Sequence, residues 1–88
     1  MFLYCTSLTT APLLPATTLV KECYFNMFRN CTSLNSITCL ATDISANNCT
    51  ASWVSNVASS GTFVKAASMT GWSRGVNGIP TNWTVQNA

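Results

Sequence analysis

The chain contains no histidine and almost no charge: four basic side chains (Lys21, Arg29, Lys65, Arg74) stand against two acidic ones (Glu22, Asp43). Each shortage excludes something. Without an imidazole, a serine or cysteine nucleophile lacks its usual base, and a zinc site lacks its commonest nitrogen ligand. Glu22 and Asp43 fall at different places along the chain, so a paired-carboxylate site would be accidental. The scattered basic residues form no stripe that would follow a phosphate backbone, so no nucleic-acid partner is expected. No apolar run approaches the roughly 18–20 residues of a membrane-spanning helix. The opening Met1-Phe2-Leu3-Tyr4-Cys5 also lacks the basic start and apolar length of a secretory signal.

What remains is a chain of 88 residues that is 48% apolar and 7% charged, with Thr, Ser and Asn supplying its polarity. It makes one domain at most, burying about 60–65% of the surface its unfolded form exposes. Within it lies a repeat. Met27-Phe28-Arg29-Asn30-Cys31-Thr32-Ser33-Leu34 restates Met1-Phe2-Leu3-Tyr4-Cys5-Thr6-Ser7-Leu8 at an offset of 26, and the same offset matches Leu14 with Leu40 and Cys23 with Cys49. A period between about 20 and 50 residues marks a stacked array, whose units bury their apolar faces against their neighbours. Such arrays usually present surface for binding rather than pockets for chemistry.

Along the first unit, Leu8-Thr9-Thr10 reads as a short strand, closed by a turn in which Pro12 and Pro15 forbid both a helix interior and a central strand. Residues 19–28 then read as a short helix, with Leu19, Cys23 and Met27 spaced by four and Tyr24 and Phe28 beside them. The second unit keeps this order. Residues 34–40 read as a strand with Leu34, Ile37 and Leu40 as apolar members. Asp43 and Ser45 are caps before a helix over residues 48–57, striped by Cys49, Trp53, Val54 and Val57. After Val57 the repeat decays: Ser59-Ser60-Gly61 is a turn, Thr62 to Lys65 a strand, and Trp83 to Gln86 a last strand. The division is thus two units over residues 1–57 and a capping segment over 58–88, in which Trp72, Ile79 and Trp83 cover the end of the last coil.

The pattern Met-Phe-x-x-Cys-Thr-Ser-Leu, with Leu14-Pro15-Ala16-Thr17-Thr18-Leu19 and Cys23-Tyr24, resembles the BspA-like leucine-rich-repeat surface proteins of gut and oral bacteria. Phe28, Cys31, Leu34 and Ile37 sit in that family's register. The first unit departs from it with Ala11 in place of Ile and with its two prolines, and the closing segment from Asn77 to Val85 is similar to the terminal part of such proteins. The resemblance implies an α/β, right-handed solenoid of short parallel strands and short helices, displayed at a cell surface and adhering to host or matrix protein. It carries over no ligand motif. Low charge with abundant Thr, Ser and Asn fits an exported repeat protein, so these residues are expected to end a longer, cell-surface or secreted chain.

Five cysteines are the reactive set, but successive ones lie eight or more residues apart, without the paired spacing of a zinc site. Two pairs, Cys5/Cys31 and Cys23/Cys49, are one period apart. Stacked coils about 4.7–4.9 Å apart would make each pair a ladder of small buried groups; a disulfide within a pair is the alternative. No metal or other cofactor is expected. The triplets Asn30-Cys31-Thr32, Asn48-Cys49-Thr50 and Asn82-Trp83-Thr84 match the glycosylation pattern, as chance matches in so Asn- and Thr-rich a chain. The expectation is therefore a non-enzymatic module that binds host or matrix protein through its sheet face, at Thr9, Asn35 and Ser36. The alternative is a purely structural cap with no ligand site. Self-association through the open N-terminal face is a further expectation, because fewer than three units are present.

Overall fold

Alternation of β-branched and apolar residues places three short strands: β1 (Ser36–Cys39), β2 (Thr62–Lys65) and β3 (Thr84–Asn87). In the computed structural model, which describes residues 4–88, they form an open, wholly parallel sheet in the order β1-β2-β3. Ser36 pairs with Thr62, at the repeat offset of 26, and Thr62 with Thr84, at a shorter offset. The expected strand at Leu8-Thr9-Thr10 is reduced to isolated parallel bridges, Thr10 to Ser36 and Leu14 to Cys39, followed by Thr18 to Asp43. Pro12 and Pro15 offer no N–H, so the first unit cannot continue the ladder between these points. The part of the repeated motif at Met1, Phe2 and Leu3 lies outside the described residues.

The expected helices are absent: among the described residues there is none. Residues 20–31 instead form a ribbon of overlapping turns. Cys23, Phe25, Met27, Arg29 and Cys31 each donate their N–H to the carbonyl three residues back. The alternate residues, Glu22, Tyr24, Asn26, Phe28 and Asn30, donate outward to the carbonyls of Asn47, Cys49, Ala51, Trp53 and Ser55 in the second unit. Every fourth residue is left-handed, with φ of 57° at Glu22, 56° at Asn26 and 61° at Asn30, each third in its turn as in a type II turn. The second ribbon repeats this at Asn48, Ser52 and Asn56 (φ 55°, 54° and 60°). The four-residue spacing of Leu19, Cys23 and Met27 thus comes from a turn period of four, which a 3.6-residue helix period resembles over so short a stretch. Asn tolerates left-handed backbone several-fold better than most residues, and four of these six positions are Asn.

The core lies between the sheet and the ribbons. Trp53, Phe28, Phe63, Leu34, Ile37, Cys31 and Cys39 are fully buried there. Trp53 is its centre: Tyr24 stacks on one face (5.9 Å, 10°), Trp72 on the other (5.5 Å, 3°), and Phe63 meets it edge-on at 6.0 Å. Such aromatic contacts contribute about 0.5–1.5 kcal/mol each beyond area burial. The tail after Lys65 folds onto the second ribbon. Trp53 Nε1 donates to the Gly78 carbonyl (2.8 Å) and Trp83 Nε1 to that of Ala58 (2.9 Å), and Ile79 and Trp83 are buried.

Candidate functional site

The sheet has two chemically distinct faces. Ile37 and Phe63 are buried and point inward with the half-buried Val85, so the alternate positions form the outer face. Register aligns two rows on it: Ser36, Thr62 and Thr84, and beside them Thr38, Val64 and Gln86. The bridge from Thr10 to Ser36 extends the first row by one more hydroxyl. Neighbours within a row are about 4.7–4.9 Å apart. The surface is neutral and lined by hydroxyls, an amide and one valine. It can offer many weak, adaptable hydrogen bonds, and it has no charged anchor.

Of the three residues expected to bind, Thr9 and Asn35 are exposed and Ser36 is half-buried. The structure brings them together: Asn35 donates its N–H to the Thr9 carbonyl at 2.9 Å, and the Asn35 carbonyl accepts from Thr62 N–H at 2.9 Å. Thr9 and Asn35 precede the paired strand region, however, and only Ser36 lies in a row. Thr38, Thr62, Val64, Thr84 and Gln86 escaped sequence reasoning. Alternation within each strand places them outward, but the offset from β2 to β3 differs from the repeat, so their alignment was not legible. Gly61 makes the alignment sterically possible, because a Cβ there would strike the Asn35 carbonyl and approach Trp83 Cε2 at 2.8 Å.

The cysteine ladder needs correction. Cys49 and Cys31 are buried, but Cys23 and Cys5 are exposed, with no described residue covering them. Cys23, Cys39 and Cys49 are thiols rather than disulfides. The Cys49 thiol donates to the Ile44 carbonyl at 3.3 Å. Burial pushes the Cys39 thiol up to about 11, with the nearby Cys23 and Cys49 adding to the rise and a backbone bond at Ala41 opposing it. Burial raises Cys49 as well, and it raises Tyr24, beside Cys39 and Cys23. These groups are held neutral, the opposite of what an activated thiolate needs. Among the described residues no group of three His, Cys, Asp or Glu is placed to hold a metal ion.

Asp43 does act locally: its Oδ1 accepts from Ser45 N–H (2.9 Å) and Ser45 Oγ (2.6 Å), which holds its carboxyl below the usual range. It closes an Asx turn and caps no helix. The middle residues of all three Asn-x-Thr triplets, Cys31, Cys49 and Trp83, are buried. The surface depressions are small. One of about 190 Å³ lies between the second ribbon and residues 75–82, and one of about 170 Å³ lies beside Asn77. Ligand pockets usually measure about 300–1,000 Å³. No helix among the described residues is long and apolar enough to cross a membrane. Compared with protein-family models, with curated proteins and with solved structures, the chain matches none of them.

Proposed function

We propose that the chain is a non-enzymatic interaction module: the C-terminal end of a leucine-rich-repeat-like bacterial surface protein of the BspA kind, a right-handed solenoid that meets host or matrix protein with its sheet face. The observation that carries the reading is the ladder between the two units, five N–H groups donated at a constant offset of 25 residues. A backbone that bonds by translation generates a sheet that lengthens coil by coil, and a face that lengthens with it. Parallel strands joined by a crossover are right-handed in about 98% of cases, which supports the handedness. The neutral outer rows suit broad contact with a polar protein surface. In this reading the turn ribbons occupy the place where the family carries short helices.

A second reading, a structural cap without a ligand site, is supported by the way residues 76–78 meet the second ribbon. Val54 N–H donates to the Val76 carbonyl (3.3 Å), Ser52 N–H to Asn77 Oδ1 (2.7 Å), and Thr50 Oγ1 to the Asn77 carbonyl (2.8 Å). One experiment separates the two. The protein and its Thr62→Lys, Thr84→Lys variant are assayed for adhesion to immobilised matrix proteins, with circular dichroism as the folding control. Adhesion that falls about tenfold in a folded variant supports the interaction module. Adhesion indifferent to the change, or absent in both, favours the cap.

A further inference from the structure

The two ends of the ribbon wall are chemically unlike. Every backbone bond between the ribbons runs in one direction, from N–H groups of the first to carbonyls of the second. At the C-terminal end the next donors, Ser52 and Val54, are met by Asn77 Oδ1 and the Val76 carbonyl. The Asn77 side-chain amide stands at the repeat's offset of 25 from Ser52, where another coil would present a backbone carbonyl. At the N-terminal end the corresponding acceptors are the carbonyls of Lys21, Cys23 and Phe25, one period before Asn47, Cys49 and Ala51. They accept no hydrogen bond from any described residue. Next to them Arg29 O is already met by Tyr4 N–H at 2.9 Å, the same offset of 25, so Tyr4 lies on the track that a preceding coil would follow.

Side chains of the same segment are exposed. Cys23 is exposed although its counterpart Cys49 is 2% exposed, and Val20 and Phe25 are 67% and 38% exposed. A row of open acceptors beside uncovered apolar groups is a template for an occupant that supplies both donors and apolar cover.

We infer that this face is a docking surface for one further coil of the same 26-residue unit, joined to the chain at its N-terminal side, whose N–H groups complete the ladder on Lys21, Cys23 and Phe25. The inference rests on the array reading above and narrows its partner. A second copy of the chain is the wrong occupant. Two such faces meeting about a two-fold axis set carbonyl against carbonyl, and a head-to-tail copy would offer an end that Asn77 already covers, its Oδ1 holding Ser52 N–H, the donor that would face Phe25, and its carbonyl holding the Thr50 hydroxyl.

The test is a graft. A copy of residues 9–26 placed directly before Met1 puts the copied Asn26 ahead of Met1, as Asn26 itself precedes Met27. Alkylation of Cys23 is then expected to slow by about tenfold or more, and the copied Glu22, Tyr24 and Asn26 amides to gain similar protection from hydrogen exchange. A second graft with Val at the copied Glu22 and Asn26 should give neither effect, since β-branched residues resist the left-handed backbone. The inference is overturned if Cys23 reacts as fast in the first graft as without it while the chain's own Tyr24 and Phe28 amides stay protected. It is also overturned if Cys23 of the ungrafted protein becomes protected as concentration rises, which would make a second copy the occupant. Unprotected Tyr24 and Phe28 amides in the ungrafted protein would overturn the array reading itself and this inference with it.

Discussion

At the scale of the residue, the molecule is organised around Trp53. The indole is fully buried, its ring lies between Tyr24 and Trp72, and its N–H is spent on the Gly78 carbonyl. One residue thereby ties the first unit, the second unit and the tail together. The cysteines around it behave as small apolar groups. Cys39 is the clearest case, a buried thiol raised to about 11 by loss of water. Its unfolded value lies near 8.5–9, so the folded state binds more protons between those values. Stability is therefore intact below about pH 8.5 and falls as pH rises through the interval up to about 11. The predicted outcome is an alkaline decline in the urea midpoint that is smaller in Cys39→Val, measured by fluorescence of the tryptophans at a series of pH values.

At the scale of the element, sequence and structure agree on the three later strands and part on the first strand and on the helices, for physical reasons. Residues 62–65 were legible because β-branched and aromatic residues alternate between turn signals. Residues 19–28 carry a helix-like pattern because Leu19, Cys23 and Met27 recur at four, a spacing common to a helix and to this ribbon. The discriminating signal was Asn26 and Asn30, four apart, with Asn56 one period after Asn30; Asn56 Nδ2 donates to Asn30 Oδ1 at 2.7 Å. Mutation at Asn26 separates the two structures by sign. In a helix Asn26→Ala would stabilise by about 0.5 kcal/mol. In the ribbon it destabilises by about 1–2 kcal/mol, because Ala resists φ of 56°, whereas Asn26→Gly is close to neutral or stabilising. Gly also removes the Asn26 Oδ1, which is buried without a hydrogen-bond partner among the described residues. The end of the ribbon makes a second prediction. Asn77→Ala removes the acceptor of the Ser52 N–H and costs about 1 kcal/mol, the net worth of one such bond, while Asn77→Asp keeps the acceptor and recovers most of it, as read from thermal midpoints.

At the scale of the whole molecule, the repeat announced stacking, and its decay hid the rest. Between the two ribbons the offset stays constant, so the placement of Cys23 beside Cys49 and of Asn30 beside Asn56 could be read by sliding the sequence over itself. The outer rows of the sheet could not be read that way, because β3 follows β2 at a shorter offset and the tail shares no motif with the units. Thr9, Asn35 and Ser36 were consequently found near one another at the edge of a surface whose centre is Thr62 and Val64. The central claim is that the units stack through outward N–H groups of the turn ribbon. Scalar couplings transmitted through hydrogen bonds test it directly in isotope-labelled protein. The account predicts couplings from the amide nitrogens of Tyr24 and Phe28 to the carbonyl carbons of Cys49 and Trp53, across bonds of 2.8 Å in each case. Couplings from Tyr24 and Phe28 to the carbonyls four residues before each of them would contradict it, for they would mean a helix where the account requires a ladder.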